Sequence, residues 1–148
     1  MADINDFVND LQDRMDKETS ALYGQKAYDR WRNPPNMGEP PQTNCRGSMT
    51  GECGDNITIF LNIEDDMVCQ SGFQTTGCGS SLICGSMAAE LALNKHSDAL
   101  SAITGKVILH RLGGLPDDDA HCASLAANAL QEAVGDYYKR TLRMEKEK

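Results

Sequence analysis

Apolar residues at the start of the chain recur every three or four positions, at Ile4, Phe7, Val8, Leu11 and Met15. That spacing predicts an amphipathic helix over 4–15 with an acidic outer face, and Asp3 is placed to cap it. A second helical pattern through Ala21, Leu22, Ala27, Tyr28 and Trp31 stops at Asn33-Pro34-Pro35-Asn36, because a residue before proline is pushed out of the helical region. From Asn33 to Glu52, Pro, Gly, Asn and Thr predominate, which predicts a surface loop. The period then changes from helical to alternating. Ile57, Ile59, Leu61 and Ile63 alternate with Thr58, Phe60 and Asn62, so 56–63 reads as a strand. Glu64-Asp65-Asp66 turns the chain, and 67–75 returns to complete an antiparallel hairpin with one face on a core.

Helical spacing resumes at Leu82, Ile83, Met87 and Leu91, in a helix that Ser80 or Ser81 would cap and that ends near Asn94. A short helix follows from Ser97 through Leu100 and Ile103, and another from Thr104 to Leu112, closed by Gly113-Gly114. The last helix is predicted to begin near Asp118 or Asp119 and to run past Leu142, burying Leu125, Ala126, Ala129, Leu130, Ala133, Val134 and Tyr137. The tail, 139–148, mixes charges and is predicted to fray. With no internal repeat and no linker, the 148 residues read as one domain.

Composition narrows the possible functions. Hydrophobic residues make up 40% and charged residues 24%, the balance of an ordinary globular chain. No apolar run is long enough to span a membrane, and the N-terminal segment lacks the basic flank and apolar stretch of a secretory signal, which predicts a soluble, cytoplasmic protein. The 14 Lys and Arg are outnumbered by 22 Asp and Glu, and the net charge of -8 disfavours nucleic acid and anionic membranes and favours partners with basic patches.

Six cysteines change that picture. In a reducing compartment, and in a chain long enough to bury a core, metal or thiol chemistry outranks a disulfide framework. Cys53 lies where the long loop meets the first strand, Cys78 lies between Gly77 and Gly79 where strand gives way to helix, and Cys122 follows His121 in the first turn of the last helix. Thiols at helix starts gain from unpaired backbone N–H groups, which favour the thiolate that metals bind. Asp55 and His121 add an oxygen and a nitrogen, making five candidate ligands: Cys53, Asp55, Cys78, His121 and Cys122. Their spacing fits no zinc-finger pattern, and small turn residues with Asp55 and His121 as caps are the alternative. Cys69, inside the second strand, reads as a buried small hydrophobe, and Cys84 as helix packing with a supporting sulfur role as the alternative. Cys45, in the loop, reads as an exposed, oxidisable thiol. His96 and His110 read as surface or structural residues, and Asp117-Asp118-Asp119 as charges serving the last helix start.

Asn33-Pro34-Pro35-Asn36-Met37-Gly38, Cys53-Gly54-Asp55, Gly77-Cys78-Gly79-Ser80 and His121-Cys122, in this order, resemble the NifU/IscU-like iron-sulfur cluster assembly scaffold family. The resemblance spans Trp31 to Tyr138 and leaves an extra N-terminal helix, 1–19, outside the shortest form. It implies an α+β fold in which a small antiparallel sheet of about three strands packs against several helices. It also implies a scaffold, not an enzyme, on which a labile 2Fe-2S cluster is built from iron and the sulfur of a cysteine desulfurase and then passed to apo iron-sulfur proteins. Cys53, Cys78 and Cys122 would be cluster ligands, Asp55 would loosen the cluster for release, and His121 would be the alternative fourth ligand. Chaperone-dependent members carry Leu-Pro-Pro-Val-Lys before the His-Cys pair, whereas this chain has Leu115-Pro116-Asp117-Asp118-Asp119, a departure that predicts no stimulation by a dedicated Hsp70-type chaperone. The zinc-dependent sulfur-acceptor branch resembles this chain less, lacking its histidine. Thiolate, imidazole and carboxylate nonetheless serve zinc and iron alike, so a zinc-binding sulfurtransferase partner of the desulfurase is the alternative.

Overall fold

The structure, a computed structural model, describes residues 6, 8–11, 14, 24–52, 54–77, 79–116 and 120–146. Three antiparallel strands, β1 (Cys45–Thr50), β2 (Asn56–Glu64) and β3 (Met67–Thr75), form one sheet in the order β1-β2-β3. Helix α1 (Gln25–Arg32) precedes the sheet; α2 (Gly79–Ala92), a 3-10 turn (Ser97–Ala102), α3 (Gly105–Leu112) and the long α4 (His121–Lys146) follow it. The α+β class and the three-stranded sheet agree with the expectation.

One face of the sheet is the floor of the core. Cys45, Leu61 and Ser71 stand in one row across the strands, and Gly47, Ile59 and Phe73 in the next. Helix α4 lies over β1 and β2, and α2 over β3. The apolar stripe of α4 that meets the sheet, Leu125 to Val134, is buried as its spacing predicts. A Cβ on Gly47 would collide with the backbone of Ala129 and Ala133, so β1 and α4 touch main chain to main chain. The β2–β3 hairpin turns through Asp65 and Asp66 with φ of 54° and 62°, the left-handed pair that a tight two-residue turn needs. Thr104 caps α3 by accepting from Val107 N–H, and Gly113 ends it in the left-handed conformation.

Several expectations are corrected. The segment 33–52 is not all loop, because 45–50 is the edge strand β1. Its inward positions, Cys45, Gly47 and Met49, are too small or too mixed to show alternation. The remainder, 33–44, docks along β3, where Gly38 N–H donates to Phe73 O at 2.7 Å and Phe73 N–H donates to Asn36 O at 3.0 Å. The same stretch crosses the other face of the sheet at Gly72, and Arg46 stacks over Phe60, so Phe60 is buried although its side faces away from the helices. Cys45 is fully buried and Cys69 exposed, the reverse of the reading from local sequence, because β1 is covered by α4 while Cys69 points away from the helices. Cys84 is buried packing. Helix α4 runs past Leu142 as expected, to Lys146, with an Arg140–Asp136 ion pair of 3.2 Å one turn apart. Of the N-terminal helix, Asp6, Val8 to Leu11 and Arg14 are helical, but Val8 and Leu11 are exposed rather than buried. Its other residues, the Asp3 cap included, lie outside the described residues. Among the described residues no helix is long and apolar enough to cross a membrane.

Candidate metal centre

Three chain segments meet at one end of the sheet. The first is the β1–β2 turn, closed by Gly51 N–H donating to Asp55 O at 2.8 Å and Gly54 N–H to Gly51 O at 3.0 Å, with Gly54 at φ 89°. The second is the β3–α2 junction, where Thr75 Oγ1 donates to Asn56 O at 2.8 Å and accepts from Gly77 N–H at 3.0 Å. These bonds hold Gly77 against the residue that follows Asp55. The third is the start of α4, which carries His121 and Cys122.

The side chains at this junction contact one another directly. Cys122 is 1% exposed, and its Sγ lies 3.4 Å from Ser80 Oγ, 3.5 Å from Ser81 Oγ and 3.7 Å from His121 Nε2. Ser81 Oγ in turn donates to Asp55 Oδ2 at 3.1 Å. Asp55 and Cys122, 67 positions apart in the chain, are thus linked through a single hydroxyl. His121 stands at the surface beside a recess of about 520 Å³ lined by Gly51, Glu52, Ser124, Leu125 and Asn128. Cys53 and Cys78 lie outside the described residues, as does Asp117-Asp118-Asp119. Among the described residues, no three His, Cys, Asp or Glu side chains gather closely enough to hold a metal ion by themselves. Asp55, His121 and Cys122 bring carboxylate, imidazole and thiol groups to this one junction.

Three neighbours of this junction, Ser80, Ser81 and Trp31, carry no local signal of their place in it. Ser80 and Ser81 read as helix caps, yet both lie inside the first turn of α2, almost fully buried, with their hydroxyls on Cys122. Trp31 read only as part of a helical pattern; its indole Nε1 lies 3.1 Å from where a Cβ on Gly79 would stand, at the start of α2. The remaining histidines are apart from the junction: His96 Nδ1 caps the 3-10 turn by accepting from Asp98 N–H at 3.2 Å, and His110 is exposed near the end of α3. Cys45 is also a different kind of thiol, since burial first, and then the charge of Asp136, pushes its pKa up to about 12.

Residues 22–144 match the family model described as the NifU-like N terminal domain. The chain is 34% identical over 126 residues to the iron-sulfur cluster assembly scaffold protein IscU 1 of Archaeoglobus fulgidus, covering 84% of this chain and 82% of that protein. It is 32% identical over 120 residues to the iron-sulfur cluster assembly scaffold protein IscU of Escherichia coli, covering 78% and 93%. Among solved structures, the N-terminal part of a nitrogen-fixing NifU-like protein from Brucella abortus superposes with a TM-score of 0.63 at 17% identity, over 82% of this chain and 97% of that one.

Proposed function

The chain belongs to the NifU-like N-terminal domain family, and from that premise we propose that it is a scaffold on which a 2Fe-2S cluster is assembled and from which it is handed to apo iron-sulfur proteins. The cluster is cargo. The observation that supports this reading best is that the hydroxyl of Ser81, at the start of α2, lies between a buried cysteine at the start of α4, Cys122, and a carboxylate in the β1–β2 turn, Asp55.

A 2Fe-2S cluster needs four terminal ligands. In this proposal Cys53, Cys78 and Cys122 supply thiolates and the fourth donor is Asp55 or His121. A carboxylate oxygen or an imidazole is a poorer match for iron already bound to sulfur than a fourth thiolate would be, so the set holds its cargo less permanently. Backbone N–H groups at the starts of α2 and α4 favour the negative charge that thiolates bring. The hydroxyl of Ser80 lies 3.4 Å from the Cys122 sulfur and can donate to its thiolate, and donors of that kind are among the factors that tune such clusters. The chain itself turns over no substrate: a cysteine desulfurase delivers sulfur, iron arrives separately, and the -8 net charge draws partners with basic faces. With Asp119 where chaperone-dependent relatives carry lysine, transfer proceeds without stimulation by a dedicated Hsp70-type chaperone.

Anaerobic incubation with iron, cysteine and a desulfurase tests the reading. Visible absorption and metal analysis should report two irons and two sulfides per site, and an apo-ferredoxin added afterwards should acquire the cluster. A chain that takes up zinc but never iron and sulfide under these conditions would overturn the scaffold reading in favour of the sulfur-acceptor one.

A further inference from the structure

Ser81 stands between two of the proposed donors. Its side chain is fully buried, with Oγ 3.1 Å from Asp55 Oδ2 and 3.5 Å from Cys122 Sγ. A serine hydroxyl has one proton to give, and a carboxylate only accepts. The shorter, charge-assisted contact therefore takes the proton, and it is Asp55 that receives it. Cys122 has a second hydroxyl, that of Ser80, at 3.4 Å, so its surroundings do not depend on Ser81 alone. The task distinctive to Ser81 is Asp55.

The space around this pair is built for it. A Cβ on Gly77 would lie 2.7 Å from Asp55 Cγ, from Asp55 Oδ2 and from Ser81 Oγ, so only glycine leaves room for the hydroxyl and carboxylate to meet. Alanine would fill the Ser81 position with nearly the same volume. A buried hydroxyl there costs desolvation that an apolar methyl avoids, and its bond to the carboxylate is what offsets that cost.

We infer that Ser81 is a positioning residue for Asp55: its hydroxyl holds one carboxylate oxygen against the start of α2 and thereby sets the direction from which Asp55 meets the cluster cargo. This rests on the reading of Asp55 as the exchangeable oxygen donor. A side chain linked to the cargo through Asp55 then governs how fast the cargo leaves.

The test compares the full chain with Asp55→Ala, Ser81→Ala and the double variant. Each is loaded anaerobically with iron and sulfide, and each is also titrated unloaded with cobalt(II). Transfer rate to apo-ferredoxin, visible circular dichroism of the loaded cluster and the cobalt d–d absorption are read. Asp55→Ala should slow transfer; Ser81→Ala should slow it in the same direction by about tenfold or more, the scale of losing one hydrogen bond to a charged group. The double variant should be no slower than Asp55→Ala alone. The dichroism and cobalt spectra of Ser81→Ala should shift toward those of Asp55→Ala, which a merely structural role would not produce. Ser81→Thr keeps the hydroxyl and should recover the rate, and Gly77→Ala, which drives the pair apart with Ser81 in place, should reproduce the loss. If Asp55→Ala slows transfer while Ser81→Ala does not, or if their effects multiply in the double variant, the inference fails and the role of Asp55 stands. If Asp55→Ala changes nothing, both fail.

Discussion

The indole of Trp31 lies against Gly79, so the sole tryptophan of the chain rests over the first helical residue after Cys78. It is 37% exposed, held by a helix that Arg30 ties to α2 through Ser86 at 2.9 Å and Glu90 at 2.8 Å.

This placement makes Trp31 a built-in reporter. Assembly of an iron-sulfur cluster, which absorbs across the near ultraviolet and visible, should strongly quench its fluorescence, whereas zinc, with a filled d shell, should leave most of the emission. A titration followed by emission, with Trp31→Phe as the blank, checks this. Unchanged emission in a chain shown by metal analysis to carry the cluster would place the cargo away from α2.

Cys45 and Cys69 should react oppositely. Cys69 is exposed, and mass mapping after brief treatment with iodoacetamide should find it modified while Cys45, fully buried with its thiol pKa pushed up to about 12, remains intact. Modification of Cys45 should follow global unfolding. Early labelling of Cys45 in the folded chain would contradict its position under α4.

The same thiol makes stability fall in base. Cys45 has an ordinary value of 9.0 and a folded value of about 12, and Tyr137, which donates to Asp66 at 2.6 Å, rises from 10.0 to about 12 through that bond. Above about pH 9 the unfolded chain releases these protons while the folded chain keeps them, so the unfolded state binds fewer protons and stability drops as pH rises. Urea unfolding at steps from pH 8 upward should show the decline beginning near 9, with a shallower slope in Cys45→Ala. Equal slopes in the two proteins would remove Cys45 as its cause.

Two glycines near α4 should behave in opposite ways. Gly47→Ala places a methyl group into the backbone of Ala129 and Ala133 and should destabilise the chain by about 3 kcal/mol or more, since a helix backbone cannot give way as a side chain does. Gly135→Ala, within α4 and with nothing within 4 Å of the new Cβ, should stabilise it by roughly 0.5–1 kcal/mol. Thermal or denaturant melts measure both, and a neutral Gly47→Ala would mean that β1 and α4 are not in main-chain contact.

Association with the desulfurase should be faster at low salt. A charge of -8 steers a basic partner over a range that salt shortens, so the association rate should fall severalfold between low and physiological ionic strength while dissociation changes little. Stopped-flow mixing across salt concentrations measures it, and a flat rate would exclude steering.

Periodicity alone determined most of the elements, because the β2–β3 hairpin, α3 and α4 state their character locally. Ile57 to Ile63 alternate at strand spacing, Thr104 and Gly113 bracket α3, and Leu125 to Val134 repeat at helical spacing. The four motifs Asn33 to Gly38, Cys53-Gly54-Asp55, Gly77-Cys78-Gly79-Ser80 and His121-Cys122, taken together and in this order, were likewise enough to place the chain beside its family. Tertiary structure alone decided what depends on partners distant in sequence. β1 is a strand because α4 covers the small residues Cys45 and Gly47, and that same cover makes Cys45 a buried thiol while Cys69, on the opposite face of the sheet, is exposed. Ser80 and Ser81 are helix-start residues in any local reading; they become partners of Cys122 and Asp55 only because the starts of α2 and α4 and the end of the sheet are packed together, which no pattern within one segment encodes.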